Sequence, residues 1–133
     1  MSMRMFLIAG LLVGAGDAAG AKQRESDEER IARYEQFAGE PIPQIKNFQL
    51  WRHELLDDNR VMVWGKPGQT YLLTFREPCT EISWARALGL SSTLGTVKAD
   101  YDYVSARGQR CYIKTIRPVN ERAMREAKKK AKA

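Results

Sequence analysis

The chain has 133 residues and a formal net charge of +6, and it contains two cysteines and one histidine. This length fits one small domain. Two cysteines and one histidine cannot supply the four ligands of a structural zinc site. Neither Gly-x-Ser-x-Gly nor Ser-x-x-Lys, two common nucleophile motifs, occurs in the chain.

The N-terminal segment, residues 1–21, has the three-part pattern of a secretory signal peptide. Arg4 provides a positive start, Met5–Ala15 is apolar or glycine, and Ala19–Ala21 offers the small residues that a signal peptidase reads. A membrane-spanning helix needs about 20 residues, which is longer than this apolar run. We therefore expect cleavage after Ala21 and export to the periplasm or beyond. A retained membrane anchor or a buried helix is the alternative.

Residues 22–43 predict a helix followed by an extended linker. Ser26 and Glu29 have the spacing of a capping box, in which each side chain bonds to the other residue's backbone N–H. Apolar residues then recur at helical spacing. Pro41 and Pro43 prevent the helix from continuing.

Residues 44–118 predict a β-rich domain that opens with a three-stranded meander. The strand-forming stretches are about Lys46–Leu55, Arg60–Gly65 and Thr70–Phe75, and turn-forming residues separate them. Tyr71–Leu73 is apolar on both faces of its strand, which predicts that the third strand lies in the centre of the sheet.

The chain after Cys79 predicts a short helix and then more strands. Apolar residues at helical spacing place the helix at Thr80–Leu88. Asp100 and Asp102 alternate with tyrosines, so we expect both carboxylates on one solvated strand face. The alternation of apolar and polar residues in Cys111–Ile116 predicts the last strand.

The two cysteines, Cys79 and Cys111, lie in different apolar segments, and in an oxidising compartment they should form a disulfide. The closed loop would hold roughly 33 residues, for which the chain-entropy model gives ~3–4 kcal/mol of stabilisation. One alternative is a redox site, which would favour a closer Cys-x-x-Cys pair. Another is a cysteine nucleophile, which would need His53 as its base.

Residues 119–133 form an alanine-rich, basic tail that is helix-forming by propensity. Arg117–Ala133 contains seven Lys or Arg residues and two Glu, so most of the net charge belongs to this end. Basic blocks are usually solvated tails. The alternative is attachment to anionic lipid headgroups or polyanionic envelope glycans. The candidate residues for that attachment are Arg122, Arg125, Lys128, Lys129, Lys130 and Lys132.

Several short motifs occur together between Lys46 and Val119. In chain order they are Trp51 in the first strand, TYLLTF before Cys79, the SST loop at Ser91–Thr93, Asp102 followed by Val104, and CYIKTIRP from Cys111. In these features the chain resembles an uncharacterised family of small exported proteobacterial proteins, a domain of unknown function with two paired cysteines. The resemblance implies an exported β-rich domain and a disulfide, and it implies no activity.

These patterns predict an α+β fold with a small antiparallel sheet of about five strands. An N-terminal helix precedes the sheet, one short helix lies inside the disulfide-closed loop, and a basic helical or disordered tail follows. Aromatic residues on a sheet usually pack in the core, but a solvent-facing row could stack on sugar rings. The candidate ligand face consists of Trp51, Tyr101, Tyr103, Asp100 and Asp102.

We expect a non-catalytic periplasmic binding or interaction module that is a monomer and uses no metal or cofactor. Its partner would be an envelope protein, a glycan or an anionic lipid surface, and not nucleic acid. A periplasmic enzyme inhibitor is one alternative. The other is a small hydrolase built from Asp100, Asp102, His53 and the Ser91–Thr93 loop, which requires His53 to reach the aspartates directly or through one water.

Overall fold

The structure is a computed structural model that describes residues 26–132, and the predicted signal peptide, residues 1–21, lies outside this range. Its architecture is α+β, as predicted. The elements in chain order are α1 (Asp27–Gln36), β1 (Gln44–Ile45), β2 (Arg52–Asp57), β3 (Arg60–Trp64), β4 (Thr70–Phe75), a 3₁₀ turn (Ile82–Trp84), β5 (Gly89–Leu90), β6 (Val97–Lys98), β7 (Tyr103–Ala106), β8 (Gln109–Pro118) and α2 (Glu121–Lys132).

Six strands form one antiparallel sheet in the order β2-β3-β4-β8-β7-β5, and β1 pairs with β6 in a separate two-stranded ribbon. The small antiparallel sheet is as predicted, but β1, β5 and β6 have two residues each, too few to show a periodic pattern in the sequence. The predicted meander is β2-β3-β4. As predicted, β4 lies inside the sheet, between β3 and β8.

The last strand, β8, joins the two halves of the sheet. It extends two residues beyond each end of the predicted Cys111–Ile116. Its first part pairs with β7 and its second part with β4. Beside the second part, the N–H of Ile42 donates to the carbonyl of Ile116 at 2.8 Å, so the linker before β1 lies along β8 beyond Tyr112, where the pairing of β8 with β7 stops.

Each face of the sheet buries a core. Alternation along β3 sends Val61 and Val63 to the larger core and Met62 and Trp64 to the smaller one. The larger core also holds both cysteines, together with residues of β1, β4, β6, β7 and β8. The smaller core lies under the helices and consists of Tyr34, Leu56, Met62, Trp64, Leu72 and Val119.

The predicted capping box begins α1. Ser26 Oγ accepts a hydrogen bond from the N–H of Glu29, and the Glu29 carboxylate accepts one from the N–H of Ser26. The Ser26 hydroxyl also donates to the Glu29 carboxylate, and this bond, followed by the one from the Ser26 N–H, lowers the pKa of Glu29. On the inner face of the helix, the Tyr34 hydroxyl donates to Glu54 at 2.7 Å, and Arg30 donates to the other oxygen of the same carboxylate at 2.9 Å. Both contacts fix α1 to β2.

The basic tail, which the sequence leaves as helical or disordered, is the helix α2. Its first turn is attached to the domain because Trp64 Nε1 donates to Glu121 at 2.6 Å. Asn120 caps the helix by accepting a hydrogen bond from the N–H of Ala123 at 3.0 Å. Across residues 26–132, neither helix has the length and apolar character needed to cross a bilayer.

The predicted helix Thr80–Leu88 is wrong. This segment holds one 3₁₀ turn, Ile82–Trp84, and Ala85 is already extended, with φ of −82° and ψ of 132°. Starting so short a helix is costly because few hydrogen bonds offset the fixed dihedral angles. The backbone finds a partner elsewhere, since the N–H of Glu81 donates to the Gln109 side chain at 2.9 Å.

The predicted strand Lys46–Leu55 starts too early, because β2 begins at Arg52. Asn47 has a φ of 52°, which interrupts an extended strand and which asparagine tolerates better than most residues. The next N–H, that of Phe48, donates to the carbonyl of Gly95 at 3.0 Å and so leads the chain toward the β1–β6 ribbon.

The predicted disulfide between Cys79 and Cys111 is confirmed, and the Cα atoms of the two residues are 5.5 Å apart. Cys79 follows β4, and Cys111 lies near the start of β8. The bond therefore closes the segment that contains the 3₁₀ turn, β5, β6 and β7.

Candidate functional site

A cleft of about 510 Å³ opens beside β7 and the start of β8. Two loops contribute to it, one after β5 and one between β6 and β7. Four of the five residues of the predicted ligand face, Asp100–Tyr103, are consecutive in the chain and line the cleft. The SST loop and two arginines line it with them. Its lining residues are Arg76, Ser91, Ser92, Thr93, Asp100, Tyr101, Asp102, Tyr103, Arg110 and Tyr112.

Asp102 is buried beneath this cleft, with 3 % of its surface exposed. One carboxylate oxygen accepts a hydrogen bond from Ser91 Oγ at 2.7 Å, and the other accepts one from the N–H of Lys98 at 2.7 Å. Ser91 Oγ in turn accepts a hydrogen bond from the N–H of Tyr103 at 2.8 Å. Asp102 therefore ties the loop after β5 to the turn before β7.

Asp100 has a different environment, so the expectation of two equivalent, solvated aspartates is wrong. It is exposed and has a φ of 64°, because a turn, and not a strand, connects β6 to β7. Its carboxylate lies 3.1 Å from Arg76 Nη2, which also donates to the Asp100 carbonyl at 3.2 Å. The backbone N–H of Arg76 donates to the carbonyl of Tyr112 at 3.0 Å. This arginine thus links the turn to β8.

Two tyrosines and an arginine form one wall of the cleft. Tyr103 and Tyr112 are directly opposite each other on β7 and β8, and their ring centroids are 5.4 Å apart. The Arg110 guanidinium lies 4.8 Å from the centre of the Tyr103 ring. Within the described part of the chain, no carboxylate pairs with Arg110, and its side chain is exposed. Tyr101 is also exposed at the rim.

The hairpin Thr93–Thr96 projects next to the cleft. Thr93 and Thr96 exchange two backbone hydrogen bonds of 2.9 and 3.0 Å across Leu94 and Gly95. Both turn residues have positive φ, which favours Asn-Gly, and a leucine in this region costs roughly 1–2 kcal/mol. Leu94 is 96 % exposed, so burial does not offset this cost.

The remaining predicted site residues lie elsewhere. Trp51 is exposed just before β2 and does not line the cleft. His53 is on β2, opposite Val63, and burial lowers its pKa. Strands β3, β4 and β8 lie between β2 and β7 in the sheet, and His53 is not among the cleft residues. The cleft therefore assembles the aspartates and hydroxyls of the hydrolase alternative without its base.

Sequence reasoning missed Arg76, Arg110 and Tyr112 as site residues. Alternation along Cys111–Ile116 places Tyr112 on the face opposite the core, and Arg110 continues that face by two residues. The positions of Tyr112 and Arg110 on that face could therefore have been predicted from the sequence. The position of Arg76 could not, because it depends on the pairing of β4 with β8. Among residues 26–132, no group of three or more His, Cys, Asp or Glu side chains could hold a metal ion.

A family model for a family of unknown function, DUF6491, matches residues 1–133. The chain belongs to this family. No curated protein and no solved structure matches the chain. The description of DUF6491 names no activity, and the Cys79–Cys111 disulfide fits the paired cysteines of the resemblance. Proteobacterial origin and export of this DUF6491 member remain predictions.

Proposed function

We propose that this chain is an exported, non-catalytic binding module whose cleft recognises an acidic carbohydrate. The observation that carries the proposal is the wall formed by Tyr103, Tyr112 and Arg110. Tyrosine rings offer flat apolar area for the faces of sugar rings. An exposed arginine without a carboxylate partner in the described chain can form a paired, charge-assisted contact with a sugar carboxylate.

The environments of the aspartates support binding rather than acid–base catalysis. Both oxygens of Asp102 accept hydrogen bonds from the protein, and Asp100 is paired with Arg76. General acid–base catalysis needs a group that can exchange a proton with the substrate at hydrogen-bond distance. The hydroxyl groups of Ser92 and Thr93, which also line the cleft, are suited to binding sugar hydroxyls.

Export rests on the sequence of residues 1–21 and on the disulfide. Disulfides persist in oxidising compartments such as the periplasm and are rare in the cytosol. We accordingly propose a signal peptide at residues 1–21, a helix and linker at 22–43, a disulfide-linked β-rich domain at 44–118 and a basic tail at 119–133.

A titration followed by NMR tests this function. The ¹⁵N-labelled protein is titrated with an oligogalacturonate and, in parallel, with a neutral glucose oligomer of the same length. We expect saturable shift changes at the amides of Ser92, Tyr103, Arg110 and Tyr112, and stronger binding of the acidic oligomer. Shift changes spread over all basic surfaces, or none at these amides, would overturn the proposal.

A second candidate function is inhibition of an enzyme, and Leu94 is the observation that favours it. A hairpin tip that presents an exposed apolar side chain in a strained conformation is suited to insertion into a pocket of a protein partner. Because the chain is basic, such a target would be acidic. An inhibition assay against acidic periplasmic hydrolases tests this function, and a Leu94→Ala variant that inhibits as well as the wild type would exclude a role for the tip.

A further inference from the structure

A second concave surface lies between the end of α1 and α2, and it shares no lining residue with the cleft. This helix groove has a volume of about 540 Å³, within the ~300–1,000 Å³ range of small-ligand pockets. Its apolar residues are Phe37, which directly follows α1, and Met124, Ala127 and Ala131 from α2. The three α2 residues are spaced three and four apart, so they form one stripe along the helix.

Basic side chains surround this apolar stripe. Arg125 and Lys128 line the helix groove from α2, and Arg33 lines it from α1. Lys129 and Lys130 follow on the exposed surface of α2. Arg125 is 3.4 Å from Glu121, whereas the three consecutive lysines have no ion pair with any side chain that the structure describes.

The attachment of α2 leaves its second half uncovered. The contacts that hold α2 to the domain come from its first turn, through Trp64 and Glu121, and from Met124 against the smaller core. From Arg125 to Ala131 every residue is exposed, including the apolar Ala127 and Ala131. The helix groove is therefore open to solvent along a strongly cationic helix.

We propose that α2 and the helix groove dock on the surface of a bilayer that contains anionic phospholipid. A cationic helix with an apolar stripe lies in the plane of a membrane interface, where phosphate groups meet the basic residues and the stripe faces the acyl boundary. Charge complementarity supports this occupant: α2 carries six Lys or Arg residues and two Glu. A soluble polyanion would use the charges and leave the apolar stripe without a partner. The proposal does not depend on the cleft or its ligand.

Co-sedimentation with vesicles tests the charges. The chain from Lys22 to Ala133, without the proposed signal peptide, is mixed with vesicles of phosphatidylcholine alone or with added phosphatidylglycerol. Each basic side chain near an anionic surface contributes about fivefold to partitioning, so the triple variant Lys128→Gln, Lys129→Gln, Lys130→Gln should bind the mixed vesicles about 100-fold more weakly. The matched control replaces Lys46, Lys66 and Lys114, three exposed lysines outside α2, by glutamine and should bind like the wild type. An equal loss in both triple variants, or no binding by the wild type, would overturn the proposal.

A second variant tests the apolar stripe. Ala127→Gln with Ala131→Gln keeps every charge and replaces two exposed alanines, so the fold should be retained. We expect weaker binding to mixed vesicles and unchanged retention on a heparin column. Unchanged vesicle binding would show that charge alone attracts the chain and would overturn the docking through the helix groove. Vesicle binding that heparin retention parallels in every variant would assign α2 to polyanions in general and would also overturn the proposal.

Discussion

Asp100 and Asp102 are two residues apart in sequence, but their roles in the structure differ. Asp102 is buried and accepts hydrogen bonds from Ser91 and Lys98, so it holds the two loops of the cleft in register. Asp100 is exposed and makes a surface ion pair with Arg76. Period-two alternation could not predict this difference, because the left-handed φ of Asp100 breaks the alternation.

The first prediction compares Asp102→Asn with Asp100→Asn. In the Asp102 variant, an amide N–H₂ would face one of the two donors and leave buried polar groups unsatisfied, so we expect a loss of about 2 kcal/mol in the free energy of unfolding. The Asp100 variant loses an exposed ion pair, which is worth less than about 1 kcal/mol. Urea denaturation measures both. Equal losses for the two variants would contradict the structural role of Asp102.

The second prediction concerns the strained turn at Leu94. Asparagine adopts the left-handed region more readily than leucine, so Leu94→Asn should raise the free energy of unfolding by about 1 kcal/mol. Leu94→Ala is the control, because it removes the exposed side chain and keeps the strained φ. Thermal denaturation of both variants checks this. If the alanine variant gained as much stability as the asparagine variant, strain would not be the cause.

At the scale of elements, the sequence predicted the strands that have enough residues to show a pattern. β3, β4 and the core of β8 were found because their apolar residues alternate or run continuously, and α1 was found from its capping box. The two-residue strands and the path after Cys79 could not be predicted, because their conformation follows from long-range contacts such as the one between Glu81 and Gln109.

The third prediction concerns the attachment of α1 to β2. Burial and the hydrogen bond to Glu54 raise the pKa of Tyr34 to about 12. The folded-state pKa lies above the unfolded value near 10, so this contribution to stability is fully present below pH 10 and is lost as the pH rises through about 12. Tyr34→Phe should lose roughly 1–2 kcal/mol at neutral pH and should show a smaller alkaline decline than the wild type.

Urea denaturation at neutral pH and at several values above pH 10 measures this effect. Tyr101→Phe serves as the control for neutral pH, since that hydroxyl is exposed and has no hydrogen bond to any described residue. An alkaline decline of the same size in Tyr34→Phe and the wild type would mean that another group is responsible.

For the whole molecule, the disulfide, the sheet order and the cleft depend on one another. The cleft needs β7 beside β8, and the disulfide joins Cys111 on β8 to the segment that leads toward β7. The sequence predicted the disulfide from compartment and cysteine number. It could not predict that Arg76 and Arg110 would meet in one cleft, because that requires the pairing of β8 with both β4 and β7.

The fourth prediction is the effect of reducing the disulfide. The bond joins residues 32 positions apart, and its removal should lower the free energy of unfolding by about 3–4 kcal/mol. Urea denaturation with and without a phosphine reductant measures the loss. The variant Cys79→Ala with Cys111→Ala is the control, because the reductant should not change its stability. A loss below about 1 kcal/mol in the wild type would contradict the stabilising role of the bond.

The measurement that tests the central claim most directly is calorimetric titration of oligogalacturonate into two single variants. Arg110→Gln removes the cleft arginine that has no carboxylate partner among the described residues, whereas Arg107→Gln removes an exposed arginine from the turn between β7 and β8, outside the cleft. Loss of a charge-assisted contact should weaken binding by about tenfold or more in the Arg110 variant, and the Arg107 variant should bind like the wild type. Equal weakening in both variants, or none in either, would contradict a binding cleft built on Arg110 and the two tyrosines.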